Sequence, residues 1–413
     1  MNSNRDFGST ATIEQPDRGF LTDSGAAIAI RVVRTLEEVE AIREIWSSWR
    51  SHRDCDIDFC LEFVWASMEF IRPHVIVIYR DGQPDAMLVG RLEYAQKDWK
   101  LGYLRLPGIK VRQLTFAYRG LLGNASAENS REFIKSILNS LKDGEADVAS
   151  LIKLAAGSDL YQEALTFPSF VSRDYLTKFA AHHIMRLPES TEQMYQGFSQ
   201  GLRAEVRRKK KKILADFGDT VQIRRFQDPA ELESFFPDLE EIAKKTYQRR
   251  IGVGFQDTEQ MRRRLWLCAE RGWLHIYILS LRGQPCAFWM GTLYDWTFYS
   301  DEIGYDPKFS PYSPGTFLLT TIVEDLCNAG VREVDFGVGK AEYKERFGNR
   351  HLEEASVGIF APKPKGIALN LARTAAGVIE SGLKKALDYF AFLQKIKRYW
   401  RSRLSSQPNQ TAA

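Results

Sequence analysis

The segment Ser313-Pro314-Gly315-Thr316 has the composition of a loop that leads into a helix. Serine is common immediately before a helix, and proline is favoured at the first helical position. The first helical turn has N–H groups without intrahelical partners and carries the positive end of the helix dipole. Because both features favour an anion, the segment predicts a phosphate site for a nucleotide-like cofactor. An ordinary helix start without a ligand explains the same residues, and both interpretations stay open.

A strand–helix–strand unit must position this segment. Residues 297–305 are rich in aromatic and β-branched residues and predict a strand. Residues 316–329 have apolar side chains at helical spacing and end before a glycine, which predicts a helix. A second strand over 331–336 and a short helix over 341–347 complete a β-α-β crossover. Asp335 then lies at the end of the second strand.

The elements before this unit occur twice in the chain. Residues 76–94 and 276–295 each contain an apolar strand, a Gly-Gln-Pro turn and a second apolar strand with a glycine. Two predicted helices precede each segment, and those of the first half cover 35–46 and 59–70. We interpret the halves as two copies of one α/β unit. The predicted fold is therefore α/β (α+β), with two tandem units that have mixed central sheets.

The predicted domain organisation has four parts. Residues 1–26, rich in Ser, Thr, Asn, Gly and Pro, predict a disordered tail. Residues 27–188 form the first unit, and residues 189–362 form the second unit with the active site. Residues 363–413 form a basic helical extension and tail.

The helical extension is amphipathic and basic over residues 366–404, where apolar side chains follow a helical period. A basic amphipathic helix with a tryptophan is typical of segments that lie on an anionic membrane surface or dock a partner. Packing against its own domain explains the pattern equally well. The sequence leaves peripheral membrane contact and packing open.

Composition excludes several classes of protein. The chain has 413 residues, 44% hydrophobic and 27% charged, with a net charge of +4, which is typical of a globular protein and not of a nucleic-acid binder. The five cysteines have no CxxC spacing, and His182-His183 has no third ligand nearby, so we expect no metal and no disulfide scaffold. There is no apolar run of about 18 residues and no signal-like apolar region at the N-terminus. We therefore expect a cytoplasmic protein.

The strongest local charge lies in a helix that contains Arg203, Arg207, Arg208 and four consecutive lysines, 209–212. Leu202 and other apolar residues at helical spacing indicate that one face packs. The cationic face is either a solvated surface or a contact for phosphate-bearing substrates or tRNA. No aromatic residues alternate with the cations, which argues against single-stranded nucleic acid.

Five short motifs carry a resemblance to a known family. They are the basic helix 201–212, Tyr305-Asp306-Pro307, Ser313-Pro314-Gly315, Asp335-Phe336-Gly337 and Tyr343-Lys344. Together with the order of elements, they resemble a tandem GNAT-fold acyltransferase of the BioF2-like or CelD-like (cellulose-biosynthesis-associated) acetyltransferase group, related to the FemAB peptidyltransferases. The detailed match covers roughly residues 195–348. The loop lacks the Gln/Arg-x-x-Gly-x-Gly/Ala signature with which ordinary GNAT enzymes bind acyl-CoA. FemAB relatives use aminoacyl-tRNA instead, so acyl-CoA and aminoacyl-tRNA are both candidate donors.

The resemblance implies acyl transfer, in which an amine or hydroxyl attacks a thioester or ester carbonyl and loses a proton. Glu302 is a candidate general base, Asp335 a candidate base or acceptor-orienting group, and Tyr343 a candidate proton donor to the leaving thiolate. Ser313, Pro314, Gly315, Thr316 and Lys344 are the candidate cofactor-binding residues. Solvent exposure of Glu302, a turn carboxylate at Asp335 and a surface ion pair at Lys344 are the structural alternatives.

The function implied by the resemblance is transfer of an acyl group, most simply acetyl, from acyl-CoA without a metal. The acceptor is an amine or hydroxyl of a sugar, cell-envelope or exopolysaccharide precursor. The enzymatic alternative is FemAB-like aminoacyl transfer from aminoacyl-tRNA. The non-enzymatic alternative is a GNAT pair that binds a glycan as a scaffold for polysaccharide assembly.

Overall fold

The computed structural model describes residues 20–21, 27–49, 52–101, 104–250, 252, 254–379 and 381–382. The strands are β1 (Phe20–Leu21), β2 (Ala27–Val33), β3 (Phe70–Pro73), β4 (Val75–Arg80), β5 (Gln83–Leu101), β6 (Leu104–Gly123), β7 (Val148–Ala155), β8 (Phe179–Arg186), β9 (Val221–Phe226), β10 (Leu274–Leu281), β11 (Gln284–Tyr294), β12 (Thr297–Tyr305), β13 (Glu333–Val338) and β14 (Arg350–Phe360).

The helices lie on both faces of these strands. They are α1 (Leu36–Ala41), α2 (Arg43–Ser48), α3 (Ile57–Phe59), α4 (Ala127–Asp143), α5 (Asp159–Thr166), α6 (Thr191–Gly197), α7 (Gln200–Phe217), α8 (Leu232–Lys245), α9 (Tyr247–Arg250), α10 (Glu259–Glu270), α11 (Pro314–Asn328), α12 (Glu342–Phe347) and α13 (364–379).

All described strands belong to one mixed sheet. Its order is β1-β2-β4-β5-β6-β7-β14-β8-β13-β12-β11-β10-β9, with β3 paired to β5 beside this path. The two halves exchange their last strands: β8 lies between β14 and β13, and β14 pairs with β7 of the first half. The boundary predicted between residues 188 and 189 is therefore crossed by backbone pairing in both directions, and the division into two domains stays a prediction.

The two halves repeat the same local geometry, as the Gly-Gln-Pro match predicts. The β4–β5 hairpin turns through Asp81 and Gly82 with φ of 51° and 79°, and the β10–β11 hairpin turns through Arg282 and Gly283 with φ of 50° and 73°. Both central residues have positive φ, which suits the right-handed twist of the paired strands. The parallel pairs β6–β7 and β12–β13 also correspond. The predicted α/β fold with two tandem units is confirmed.

The core of the second half has two layers. One lies between the sheet and helices α7 and α11, and contains Trp289, Phe298 and Phe336. The other lies between the sheet and helices α8 and α10, and contains Phe288 and Met290. Because alternate residues of β11 point to opposite faces, Trp289 and Met290 belong to different layers. Helices thus hold the central strands of this half on both sides.

The predicted helix over 59–70 is wrong. The structure has three helical residues in α3, a π-helical turn at Cys60–Val64, and strand β3 from Phe70. Phe70 pairs with Glu93, so the sheet takes residues that the apolar spacing assigned to a helix. Met68, which lies within the range predicted as helix, is 98% exposed. Tertiary pairing overrides local periodicity here.

Both ends of the chain extend beyond the described residues. Within the predicted disordered tail, Phe20 and Leu21 pair with β2, while the prediction for most of residues 1–26 lies outside the described part of the chain. The predicted C-terminal helix is present as α13, and its continuation over 383–404 lies outside the described residues. Among the described helices, none is long and apolar enough to cross a membrane.

Candidate active site

Strands β12 and β13 separate shortly after they begin. Their parallel pairing covers three positions, from Thr297↔Glu333 to Tyr299↔Asp335. Beyond these positions β12 stays paired with β11, and β13 stays paired with β8. The described residues therefore leave an opening between residues 300–305 and 336–338, which we call the β12–β13 cleft. Backbone N–H and C=O groups along such an edge are available to an extended ligand.

A β-bulge lies at the edge of the cleft. Met290 pairs with Glu302 and Gly291 with Ser300, so Asp301 is an extra residue in β12. Neighbouring residues of β11 point to opposite faces, so Ser300 and Glu302 do too. A regular alternation along β12 would put Ser300 on the side of Glu302, and the bulge removes that alternation. Trp289 Nε1 donates to Ser300 Oγ at 2.7 Å, which fixes Ser300 on the opposite face.

Two arginines hold the bulge. Asp301 Oδ2 lies 2.7 Å from Arg53 Nη1, and its Oδ1 lies 2.8 Å from Arg264 Nη2. Burial alone would raise the pKa of Asp301, but the two guanidiniums outweigh burial and lower that pKa to about 2. Arg53 belongs to the first half of the chain, so the first half helps to fix the cleft edge.

Glu302 follows the bulge and has the properties of a base. Burial raises the pKa of Glu302 to about 7, the Asp301 carboxylate adds to the rise, and Arg264 opposes it. A carboxylate with a pKa near neutrality can accept a proton and remain partly ionised under the same conditions. The solvent-exposed alternative does not hold, because the side chain is partly buried.

Tyr343 lies on α12 within the electrostatic range of Glu302. Burial, and then the charge of Glu302, raise the pKa of Tyr343 to about 12. The phenol therefore stays protonated near neutral pH and can act as a donor. Its ring meets Phe336 edge to face, with centroids 5.8 Å apart. The charge of Glu302 acting on Tyr343 is thus what relates these two predicted site residues.

Asp335 lies at the closed end of the cleft, where β12 and β13 still pair. Its Oδ1 lies 2.5 Å from His182 Nε2 and accepts the N–H of Gly337 at 2.7 Å. Burial would raise the pKa of Asp335, but the hydrogen bond and charge of His182 outweigh burial and lower it. Asp335 is therefore an ionised carboxylate that already has partners. Its contact with Gly337 matches the turn carboxylate that the sequence left open.

His182 connects Asp335 to the first half of the chain. Its Nδ1 lies 3.0 Å from Glu354 Oε2, and the Tyr118 hydroxyl donates to Glu354 Oε1 at 3.0 Å. Burial would lower the pKa of His182, but Asp335 and Glu354 together raise it to about 9. An imidazolium thus lies between two buried carboxylates. Sequence spacing gave no signal for this cluster, because its residues come from β6, β8, β13 and β14.

The segment 313–316 starts α11 next to the end of β12. Ser313 occupies the N-cap position of α11 with φ of 52°, but its side chain makes no capping hydrogen bond, unlike the ordinary helix start that the sequence left open. Pro314 occupies the first turn and has no N–H, and Thr316 N–H bonds to the Ser313 carbonyl. The hydrogen bonds of the described residues leave the Gly315 N–H unpaired. A Cβ on Gly315 would meet Tyr305 at 3.6 Å, an ordinary contact, so Gly315 faces space beside the end of β12.

The basic helix α7 packs along this start of α11. Lys209 Nζ lies 3.3 Å from Thr316 Oγ1 and 2.6 Å from Glu205 Oε1. Lys212 Nζ donates to the Pro311 carbonyl at 2.9 Å. A cation beside a helix N-terminus adds to its attraction for a phosphate. Exposed cations remain on the other face of α7, at Arg203, Arg207, Arg208 and Lys211.

The hydrogen bond of the Lys344 ammonium group is made away from the segment 313–316. Its Nζ donates to the Val338 carbonyl at 3.1 Å, at the end of β13. Burial lowers the pKa of Lys344, Asp335 raises it, and Lys153 lowers it further. Lys344 therefore belongs with Asp335 at the β13 side of the cleft. The surface ion pair that the sequence left open is replaced by this contact to the backbone.

Metal chemistry has no support from side-chain clusters. The described residues contain no group of three or more His, Cys, Asp or Glu side chains that could hold a metal ion. His182, which the sequence left without a third ligand, has two carboxylate neighbours that neutralise its charge.

The part of the chain that forms this site matches a family model. Residues 200–345 match the model described as Acetyltransferase (GNAT) domain, and this range contains every predicted site residue. No curated protein matches the sequence. The second half of the chain therefore has the GNAT acyltransferase fold.

Several solved structures are similar in part. L-PGS from Bacillus licheniformis is 12% identical, with coverage of 85% of this chain and 99% of that chain and a TM-score of 0.48. The FemX structure is 13% identical, with coverage of 68% of this chain and 87% of that chain and a TM-score of 0.46. A tandem GNAT protein from the clavulanic acid biosynthesis pathway is 9% identical, with coverage of 81% and 99% and a TM-score of 0.45.

Proposed function

We propose that this protein is an acyltransferase that moves an acyl group, most simply acetyl, from acyl-CoA to an amine or hydroxyl. The observation that carries the proposal is the β12–β13 cleft, with the bulge at Asp301 and a Glu302 carboxylate of raised pKa at its edge. The cleft leads from Asp335 towards the start of α11. It combines an open strand edge with a helix N-terminus, the two features that an extended, phosphate-bearing donor needs.

In this proposal the donor lies along the open edge of β12. The amides of the donor's extended arm pair with backbone groups of residues 300–305, and its phosphates lie at Gly315 and Thr316, beside Lys209. Side chains at Ser313 and Pro314 shape the loop that presents these groups. The reacting thioester then lies near the bulge, where a backbone N–H can stabilise an oxyanion.

The residues of the cleft have distinct proposed roles. The acceptor amine or hydroxyl attacks the thioester carbonyl, and Glu302 takes its proton as the new bond forms. The tetrahedral intermediate collapses with cleavage of the C–S bond, and the thiolate takes a proton from Tyr343. Asp335 and Lys344, at the closed end of the cleft, orient the acceptor.

The acceptor class follows from the sequence resemblance. We propose a sugar, cell-envelope or exopolysaccharide precursor, held between the cleft and the first half of the chain. Support for a role of the first half comes from Arg53, which fixes the bulge, and from Tyr118, which joins the cluster behind Asp335.

The experiment is a thermal-shift titration with acetyl-CoA. A donor that binds the folded state raises the melting temperature by mass action, by a few degrees at about 100-fold excess over Kd. We expect Gly315→Glu to abolish the shift, because its carboxylate would lie where the phosphates bind. Gly315→Ala is the matched control and should keep the shift, since its Cβ makes an ordinary contact. Absence of a shift with every CoA ester would refute the donor assignment.

A second donor has one observation in its favour. A cavity of about 690 Å³ beside α7 is lined by Arg203, Arg207, Lys210 and Lys211, by Glu324, which pairs with Lys210, and by apolar side chains. Such a basic groove suits the backbone of a charged tRNA. Stabilisation by aminoacyl-tRNA but not by acetyl-CoA, lost when Arg203 and Arg207 are changed to glutamate, would favour aminoacyl transfer. Binding of a nucleotide-sugar without turnover of any donor would favour a scaffold.

A further inference from the structure

The outer face of helix α7 carries a group of cations that the proposed transfer from acyl-CoA does not use. Four of them lie within nine residues, Arg203, Arg207, Arg208 and Lys211, and all four are exposed. In the part of the chain that the structure describes, none of these side chains makes a hydrogen bond or an ion pair. Lys209 and Lys210 differ from them, since each pairs with a carboxylate at 2.6 Å.

This arrangement of charge is unfavourable for the helix by itself. Arg203, Arg207 and Lys211 are spaced four residues apart and are therefore neighbours on the helix surface, where like charges repel. Helix α7 contains two carboxylates. Glu205 is paired with Lys209 and Arg346, and Asp216 lies beyond the last of the four cations. A partner that brings negative charge to the outer face would relieve the repulsion.

A partly apolar groove runs beside these cations. It has a volume of about 690 Å³, and Tyr195, Val206 and Leu214 line it. Leu214 is 53% exposed, so the groove presents a large apolar side chain to solvent. Glu324 also lines the groove, where it pairs with Lys210 and accepts a hydrogen bond from the Tyr195 hydroxyl.

The composition of this surface favours an acidic protein over a lipid surface or a polynucleotide. The apolar face of α7, with Leu202, Val206 and Ile213, is buried in the core and is not available for insertion into a membrane. The Glu324 carboxylate would repel a phosphate backbone, and no aromatic residues alternate with the cations. Protein interfaces combine an apolar centre with a charged rim, and carboxylates on a partner helix match cations one turn apart.

The position of the outer face indicates what this protein partner carries. The adjacent side of α7 contacts the segment before and at the start of α11, through Lys212 at the Pro311 carbonyl and Lys209 at Thr316. A partner on the outer face is therefore about one helix diameter, roughly 10 Å, from the proposed phosphate site. Acyl thioesters occur on the phosphopantetheine arm of CoA and on the same arm of acidic, helical carrier proteins. Both sources present the same extended arm to a cleft.

We propose that the outer face of α7 docks an acidic carrier protein that supplies the acyl group on its phosphopantetheine arm. Carboxylates of the carrier pair with Arg203, Arg207 and Lys211, and an apolar side chain of the carrier enters the groove at Leu214. The arm crosses α7 to the β12–β13 cleft. There the acyl C–S bond breaks and the new bond to the acceptor forms. The thiol stays on the carrier and takes up a proton, which balances the proton that the acceptor loses.

This inference rests on the proposed acyl transfer and names a second source of its donor. The experiment is calorimetric titration of the full chain with a purified acyl carrier protein, with and without an acetylated phosphopantetheine arm, and with acetyl-CoA. We expect both forms of the carrier to bind, more weakly as salt rises. The acetylated arm should tighten binding, and Gly315→Glu should remove this gain without weakening the carrier that lacks the arm.

The decisive variant combines Arg207→Glu with Lys211→Glu. It should lower the affinity for the carrier at least about tenfold, because two attractive contacts become repulsive. It should bind acetyl-CoA as the unchanged protein does, since neither side chain reaches the cleft. Lys142→Glu combined with Arg263→Glu is the matched control, because it makes the same change of net charge at two exposed cations on α4 and α10. We expect the control to keep its affinity for the carrier, and both variants to keep the melting temperature.

Several outcomes would overturn the proposal. They are a carrier that does not bind the unchanged protein, an α7 variant that binds the carrier as tightly, and a control that loses as much affinity. Docking without a gain from the acetylated arm would refute the supply of the acyl group. Binding of aminoacyl-tRNA that the α7 variant abolishes, without binding of the carrier, would replace the protein partner by a polynucleotide. Binding of acetyl-CoA tests the proposed acyl transfer separately, because the α7 variant leaves it unchanged.

Discussion

At the scale of single residues, Glu302 and Asp335 are carboxylates in the same cleft with opposite properties. Burial and the neighbouring Asp301 raise the pKa of Glu302 to about 7. His182 lowers the pKa of Asp335, although burial opposes it. Different surroundings therefore give two similar side chains different protonation states, as acid–base chemistry requires. The proposed reaction therefore assigns the role of base to Glu302 and that of a fixed charge to Asp335.

The first prediction concerns Glu302→Gln. We expect kcat to fall by about 10²- to 10⁴-fold, because the acceptor loses its proton acceptor. A base must be deprotonated to act, so the rate of the unchanged enzyme should rise as the pH passes through about 7 and then level off. The variant should lack this rise in a pH–rate profile. Glu333→Gln, on β13, is the control and should keep it. A rise of the same size in Glu302→Gln would contradict the assignment.

The second prediction concerns Tyr343→Phe. The phenylalanine keeps the ring contact with Phe336 and removes only the hydroxyl. We expect kcat to fall by about 10²-fold while the melting temperature stays unchanged, since the thiolate loses its proton donor and packing is retained. Steady-state kinetics and thermal unfolding of the same preparation test this. Equal kcat values for variant and unchanged enzyme would remove Tyr343 from the mechanism.

At the scale of elements, helix α7 has two different faces. The half-buried Lys209 contacts Thr316 in the first turn of α11, whereas Lys211 is exposed to solvent. The run of cations in the sequence does not distinguish these roles, because neighbouring residues of a helix point 100° apart and the position of α11 decides which side is covered. Part of the basic run therefore lines the candidate phosphate site.

The third prediction compares two charge reversals on α7. Lys209→Glu should weaken acetyl-CoA binding at least about tenfold, because it puts a carboxylate beside the helix N-terminus that receives the phosphates. Lys211→Glu makes the same change of charge on the exposed face and should leave the affinity nearly unchanged. Calorimetric titration at two salt concentrations measures both. Equal losses of acetyl-CoA affinity in the two variants would indicate a diffuse electrostatic effect and would contradict a specific role of Lys209.

At the scale of the whole molecule, the exchange of β8 and β14 joins the two halves into one sheet. The cluster of Tyr118, His182, Asp335 and Glu354 lies where these strands meet. A buried imidazolium between two carboxylates is stable only while all three groups keep these positions. The geometry of the cleft therefore depends on the association of both halves.

The fourth prediction follows from the charge of His182. Its pKa is raised from about 6.5 to about 9 in the folded protein. This stabilisation is fully present below pH 6.5 and is lost as the pH rises through about 9, with a total on the order of 3 kcal/mol. We expect His182→Gln to flatten the decline of the free energy of unfolding over this range, measured by denaturant titration. His183→Gln, next on the same strand, should keep the decline, because the pKa of His183 is lowered. If the free energy of unfolding of His182→Gln declined by the same amount, His182 would be excluded as the source of the decline.

Much of the fold is determined by the sequence alone. The strand over 297–305 and the two hairpins follow from periodicity and turn residues, which act over a few neighbours. The same local signals placed Ser313 to Thr316 before a helix. They failed at 59–70, because the pairing of Phe70 with Glu93 depends on a residue outside the local window.

The sequence by itself determined that the chain has two α/β units, that its second unit carries the candidate site, and which residues could act there. Tertiary structure alone decided the exchange of β8 and β14, the width of the β12–β13 cleft and the partners of Asp335. It also moved Lys344 to the β13 side and joined segment 167–179 to α13. The exchange of strands, the contact of Asp335 with His182 and the junction of segment 167–179 with α13 result from contacts between residues more than 100 positions apart, about which short-range periodicity contains no information.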